Sequence, residues 1–179
     1  KAFGANSFYS AKYPDQFEHT KTGFGSLKFT SFGKVKISPL VYWRRHHDRF
    51  ELFRDEAPAW YKTHNYHLTD VIGSSVNARF NSKLGKSAVK AEYFFEKINS
   101  NVLGTALKDT LNDVMDPSGY FTKSAHRNNI SLSFEHAYTA KKFTVSAGML
   151  ANYNEVYHFN FCPGIDASYT ISPKVKWYV

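Results

Sequence analysis

Apolar and polar residues alternate along most of this chain, in runs broken by turns. In residues 143–153, Phe143, Val145, Ala147, Met149, Ala151 and Tyr153 share one face, while Thr144, Ser146, Gly148 and Asn152 share the other. Successive side chains of a β-strand point to opposite faces, so a period of two predicts a strand with one apolar and one polar face. The same pattern sets Val35, Ile37, Val41 and Trp43 against Lys36, Ser38, Tyr42 and Arg44. It also sets Ile72, Val76 and Phe80 against Gly73, Asn77 and Arg79, and Ile130, Leu132 and Phe134 against Asn129, Ser131, Ser133 and Glu135. Strands are predicted at residues 16–32, 35–53, 64–80, 86–98, 125–137, 143–153 and 161–172, with an eighth beginning after Lys174 and running to Val179. Residues 1–15, rich in Gly, Ser, Tyr and Pro, read as a loop. Within the longest loop, residues 99–124, Leu107, Leu111 and Met115 have helical spacing and predict a short helix.

The connections alternate in length. Those at Gly33, Ser82, Ala140 and Pro173 are tight, and those carrying Trp60, Asp116 and Tyr157 are long. Outer-membrane barrels have short periplasmic turns and longer extracellular loops, an asymmetry for which a soluble sandwich has no reason. The expected fold is therefore all-β: an antiparallel transmembrane β-barrel segment of about eight strands, in a bacterial outer membrane crossed several times. A charge on the lipid face near the midplane costs about 2–4 kcal/mol, so the polar face is expected to line water or a plug. Tyr93, Tyr153, Tyr169 and Trp177, near strand ends, fit aromatic girdles. The second to fourth predicted strands exceed a bilayer-spanning length and are expected to project as ribbons.

Composition narrows the partners. No run approaches the roughly 20 apolar residues of a membrane-spanning helix. The net charge is +8, and the basic residues lie mostly at strand ends and in loops, beside aromatic residues. That arrangement suits anionic lipid head groups or an acidic ligand rather than nucleic acid. Cys162 is the single cysteine, which leaves no internal disulfide and no cysteine-based metal site. The N-terminus lacks a signal-peptide pattern and the last strand stops at Val179, so the chain reads as a piece of a longer protein.

Four stretches carry a resemblance. They are residues 3–14, residues 41–53 (Val-Tyr-Trp-Arg-Arg-His-His-Asp-Arg-Phe-Glu-Leu-Phe), residues 146–154 (Ser-Ala-Gly-Met-Leu-Ala-Asn-Tyr-Asn) and residues 163–169 (Pro-Gly-Ile-Asp-Ala-Ser-Tyr). The chain resembles the barrel of TonB-dependent outer-membrane receptors, in the branch of vitamin B12 and siderophore receptors. The likeness covers nearly the whole chain. It implies a barrel of about 22 strands around an N-terminal plug. It also implies import of a scarce nutrient, cobalamin or an iron chelate, driven through the TonB complex. The chain departs from the family in lacking a plug, a TonB-contacting segment and the closing strands. Residues 1–179 would then be part of the receptor's barrel domain, with two open edges that the missing strands must pair, since unpaired peptide groups cannot sit in lipid.

The densest charge cluster is Arg44-Arg-His-His-Asp-Arg49. Alternation puts Arg44, His46 and Asp48 on the face of Tyr42, taken as the lumen, and points Arg45, His47 and Arg49 outward. Arginine can fix an anionic group on a ligand, and the same tract could instead form an exposed ribbon touching lipopolysaccharide phosphates. The expected ligand-binding residues at the extracellular mouth are Tyr42, Arg44, His46, Trp60, Tyr61, Asn65 and Tyr66, where aromatic and amide groups suit a large ring-shaped or chelate ligand. Asp70 flanks the same mouth. No metal site is expected of His46, His47, His64 and His67, because adjacent strand histidines face opposite ways. Gly23-Phe-Gly25 is not a nucleotide loop, and Asn129-Ile-Ser131 is a sequon inside a predicted strand. No catalytic pair stands out and no cofactor is expected. Two other readings stay open: a small self-closed outer-membrane barrel for adhesion or anchoring, and an outer-membrane hydrolase.

Overall fold

A computed structural model describes residues 13, 15–113 and 115–179, together with the backbone of residues 2–4. Much of the predicted loop over residues 1–15, and of the resembling stretch over residues 3–14, lies outside the described residues. Among the described residues ten strands form: β1 Ala2–Gly4, β2 Phe17–Lys28, β3 Val35–Glu51, β4 Asn65–Ser82, β5 Gly85–Ser100, β6 Thr105–Asn112, β7 Tyr120–Ala140, β8 Phe143–Asn154, β9 His158–Ser172 and β10 Val175–Tyr178. The fold is all-β, a single antiparallel sheet in the order β1-β2-β3-β4-β5-β7-β8-β9-β10, with β6 paired to β7 beside that path. The sheet is not closed into a barrel.

Three sequence expectations are corrected. The segment predicted as a short helix is the strand β6, hairpinned to the start of β7, and among the described residues no helix forms. Residues 2–4, expected as loop, pair with Phe17–His19 as β1. The connection at Tyr157, expected to be long, is the three residues between β8 and β9. There the Asn154 Oδ1 accepts the amides of Val156 and Tyr157 at 2.8 and 3.3 Å, an Asx-type turn that replaces the missing Gly or Pro.

The chain divides into two compact units. One comprises Lys1–Gly25, Trp43–Ile72 and Glu96–His126; the other comprises Ser26–Tyr42, Gly73–Phe95 and Arg127–Val179. They are called the first and second unit below.

In the second unit, β8 pairs with β7 from Asn129↔Asn154 to Ala140↔Phe143, and with β9 from Phe143↔Tyr169 to Asn154↔His158, without a register shift. This aligns Ile130, Tyr153 and Phe159 across three strands, then Leu132, Ala151 and Phe161, then Phe134, Met149 and Pro163. The large apolar side chains of this face are 44–78% exposed where they are Ile130, Leu132, Phe143, Met149, Tyr153, Phe159, Phe161, Ile165 and Tyr169. They are not a core. The opposite face carries Ser133, Glu135, Ser146, Asn152, Asn160 and Asp166, and the paired amides of buried Asn129 and Asn154. A concavity of about 540 Å³ on this polar face is lined by Asn77, Arg79, Lys90, Glu135, Ser146 and Asp166 among others. The Lys90 ammonium pairs with Glu92 at 2.8 Å.

The first unit holds the buried apolar cluster: Tyr66 and Leu68 of β4 against Phe121 of β7, with Met115 and Tyr120 packed on it. Phe121 is 2% exposed.

Glycine tightens the second unit at two places. Gly85, with φ +128°, closes the β4–β5 turn against the Ala137 carbonyl, a backbone conformation costly for any other residue. Gly73 leaves room for the Tyr42 ring, which a Cβ there would strike. Gly73→Ala is expected to cost about 1–3 kcal/mol by overpacking. Thermal unfolding should show the loss, and Tyr42→Ala in the same chain should recover part of it. A neutral Gly73→Ala would contradict this packing of β3 on β4.

Candidate functional site

The 13-residue connection between β3 and β4 folds onto its own aromatic residues. The Tyr61 amide closes a turn on the Pro58 carbonyl at 2.9 Å, and Lys62 Nζ reaches the Ala59 carbonyl at 2.6 Å. The Tyr61 hydroxyl accepts the Leu52 amide at 3.0 Å and lies 3.0 Å from His64 Nδ1. Burial pushes the Tyr61 phenol above its ordinary pKa, with Glu51 adding to the rise against the Leu52 hydrogen bond. Tyr61 is therefore neutral at ordinary pH, and its proton is free for His64.

Ring contacts extend the cluster. Tyr13, Trp60 and Tyr61 each meet Phe53 edge-on at 5.3–5.5 Å, and the chain continues through His64 to Tyr66 and Tyr120. Such aromatic pairs add about 0.5–1.5 kcal/mol each beyond area burial. Between these rings lies a hollow of about 350 Å³ lined by Phe53, Arg54, Ala57, Tyr61, Lys62, Thr63, His64 and Tyr66. Aromatic walls with two cations can take a flat or anionic ligand by stacking and charge. Arg54 is itself anchored, 3.7 Å above the Phe17 ring and 3.8 Å from Glu51.

Below this lies a second constellation, held between β3 and the β6–β7 hairpin. His47 and Asp113 pair with both side chains fully buried. Arg49 pairs with Glu51 at 2.8 Å and donates from Nη1 to Asp116 at 2.6 Å. Lys21 Nζ donates to the Met115 carbonyl at 2.7 Å, and Asp116 also accepts the Ser118 hydroxyl and amide at 2.7 and 3.1 Å. Burial alone would raise the Asp116 carboxyl, but the Ser118 hydrogen bonds and the Arg49 guanidinium outweigh it, so its pKa is lowered. Buried charges persist only when paired, so these contacts fasten the hairpin to the strands.

The expected site residues are thus divided. Trp60, Tyr61 and Tyr66 come together in the aromatic cluster, Trp60 exposed and Tyr66 buried. The Tyr66 amide donates to Asn101 Oδ1 at 2.9 Å, and the preceding Asn65 is half-buried at the start of β4. Arg44 is exposed. His46 Nδ1 bonds the Thr22 hydroxyl at 2.7 Å. Tyr42 belongs to the second unit, against Gly73. The outward residues of the charge tract are corrected. Arg45 pairs with Asp70 at 2.8 Å, while His47 and Arg49 lie beneath the hairpin instead of projecting freely. The reason is that the β6–β7 hairpin brings Asp113 to His47 and Asp116 to Arg49. Asp113, Asp116, Glu51 and Phe121 were not anticipated; the one signal was the acidic turn opposite a basic tract. His64 and His67 bond Tyr61 and Ser100 respectively, and among the described residues no three His, Cys, Asp or Glu side chains converge as around a metal ion.

Comparison with protein-family models, curated proteins and solved structures gives no match to this chain.

Two outcomes follow from the hairpin network. Arg49→Ala leaves Asp116 buried without its cation and Glu51 with only the more distant Arg54, and is expected to cost about 3 kcal/mol. It should expose residues 105–119 to proteolysis; unchanged protection would mean the ion pairs do not hold the hairpin. The second outcome concerns pH. A carboxylate with a lowered folded pKa contributes stability that is fully present above its ordinary value and lost as pH falls through the folded value. Hydrogen-exchange protection of the hairpin should therefore hold at neutral pH and fall below about pH 4. Asp116→Asn should loosen the hairpin at neutral pH and weaken its response to acid.

Proposed function

We propose that this chain is part of the barrel of a TonB-dependent outer-membrane receptor that binds and imports a scarce nutrient, such as cobalamin or an iron–siderophore complex. The observation that carries the reading is the apolar face of β7, β8 and β9, held in unbroken register, broadly exposed, and backed by a polar face. Isolated exposed apolar residues are ordinary, but a contiguous apolar sheet face needs a partner. Lipid covers such a face without specific contacts, and a polar face behind it suits a water-filled or plugged lumen. The setting is a bacterial outer membrane crossed several times, with phospholipid and lipopolysaccharide around it.

The aromatic and cationic hollow at the β3–β4 connection supports ligand capture at the mouth, with Phe53, Tyr61 and Tyr66 forming walls, Trp60 packed edge-on against Tyr61, and Arg54 and Lys62 supplying charge. The barrel's part is recognition and passage, without chemistry on the ligand. Coupling to the TonB complex belongs to the receptor's other segments.

Substitution on the two faces tests the membrane setting. Leu132→Arg puts a charge on the apolar face and is expected to cost about 2–4 kcal/mol, reducing the amount of receptor in the outer-membrane fraction. Ser133→Arg, one residue along on the polar face, should be tolerated. Equal tolerance of both would exclude the lipid-facing assignment. Uptake of labelled cobalamin and ferric siderophores should be lost on deletion of the gene and in cells lacking TonB; uptake of every such nutrient unchanged by the deletion would overturn the receptor reading.

A further inference from the structure

We propose that the tight-turn edge of the second unit is a docking rim for anionic phospholipid head groups. The inference rests on the membrane-spanning reading above and adds which lipid the edge selects. Four turns meet there. The β2–β3 and β4–β5 connections share a hollow lined by Gly33, Lys34, Lys36, Arg79 and Asn81. His136 Nε2 lies 3.0 Å from the Leu84 carbonyl, which joins the β4–β5 turn to the end of β7. The Thr170 amide donates to the Lys142 carbonyl at 2.7 Å, which joins the β7–β8 turn to the end of β9.

Each of these turns carries a pair of exposed lysines. Lys34 and Lys36 flank the first, and Lys83 and Lys86 the second. Lys141 and Lys142 form the third, and Lys174 and Lys176 the fourth. No Asp or Glu occurs in residues 26–42, 73–91, 136–145 or 167–179. Among the described residues, none of the eight lysines has an ion-pair partner. Like charges gathered along one edge repel one another, so a counter-charge must come from outside.

The chemistry beside the lysines identifies it. Phe143 stands opposite Tyr169, and Tyr169 opposite Trp177, all exposed on the apolar face next to the third and fourth turns. Aromatic rings favour head-group depth, and lysine stems lie along apolar surface while their ammonium groups reach phosphate. A nucleic acid or an acidic protein would use the lysines but leave the aromatic and apolar face uncovered. A phospholipid leaflet covers both, and an anionic one supplies the missing charge.

The test uses the full-length protein containing this chain, reconstituted in phosphatidylcholine vesicles. The vesicles carry either brominated phosphatidylcholine or brominated phosphatidylglycerol at the same mole fraction. The contribution of Trp177 is the difference between the wild type and Trp177→Phe. Phosphatidylglycerol is expected to be preferred about fivefold at Trp177, and the preference should weaken with salt. It should fall toward one when Lys141, Lys142, Lys174 and Lys176 are all changed to Gln. The pairs K141Q/K142Q and K174Q/K176Q, tested separately, should each remove part of it. Equal quenching by the two lipids, or a preference that survives all four substitutions, overturns the proposal and leaves the membrane reading standing. Quenching of Trp177 by neither lipid overturns both.

Discussion

Everything in the second unit depends on one backbone constraint, the ladder that holds β8 between β7 and β9. Both pairings run through twelve positions without a shift. In an antiparallel ladder, a slip by one residue moves every side chain to the other face. The separation of Met149 and Tyr153 from Asn152 and Ser146 is therefore a property of the hydrogen-bonded backbone as much as of the residues. Because the three strands keep the same phase, rows form across them, and the rows make a face. The apolar rows find no protein partner among the described residues, which sets the physical problem that a proposed membrane setting answers.

The first unit meets a different constraint with the same alternation. There β3 carries Arg45, His47, Arg49 and Glu51 on one face, and an exposed charge row would be well hydrated as it stood. Instead Asp113 and Asp116 are brought to it by the β6–β7 hairpin, and the cluster is buried. Desolvating such groups is costly, so the arrangement persists through the number of contacts made at once: carboxylates on both guanidinium and imidazole, Ser118 on Asp116, and Phe121 packed against Tyr66 and Leu68. The hairpin is thereby fixed, while the neighbouring β3–β4 connection keeps its aromatic hollow open. Adjacent segments thus combine a pinned hairpin with an open hollow, as the proposed ligand site would require.

What was legible in the sequence follows the range of the interactions. Period two located β3, β4, β5 and β8 within a few residues, because alternation is a local property. It failed at β6 for a local reason: the register with β7 shifts between Ala106 and Leu111, which interrupts the two-residue count and leaves a spacing that looks helical. It overestimated the β8–β9 connection because Asn154 makes the turn through its side chain, without Gly or Pro. Trp60, Tyr61 and Tyr66 were legible as a group, being close in the chain. The ion pairs of His47 and Arg49 were not, since their partners lie 66 and 67 residues away and no periodicity reports them.

The distribution of charge joins these strands of the argument. Acidic and basic residues pair with each other in the first unit, where burial makes an unpaired ion costly. In the second unit Lys90 pairs with Glu92, but eight lysines gather at the tight-turn edge without acids, while much of the exposed surface there is apolar on one face and polar on the other. Water alone would favour mixing the signs and breaking up the apolar rows, because both lower the free energy of a solvated surface. A bilayer removes the penalty on the apolar rows, and an anionic head-group layer removes the repulsion among the lysines. The two features are separate in sequence and chemistry, yet the one proposed environment would answer both, so the proposed lipid-facing assignment draws support from more of this chain than the apolar face alone.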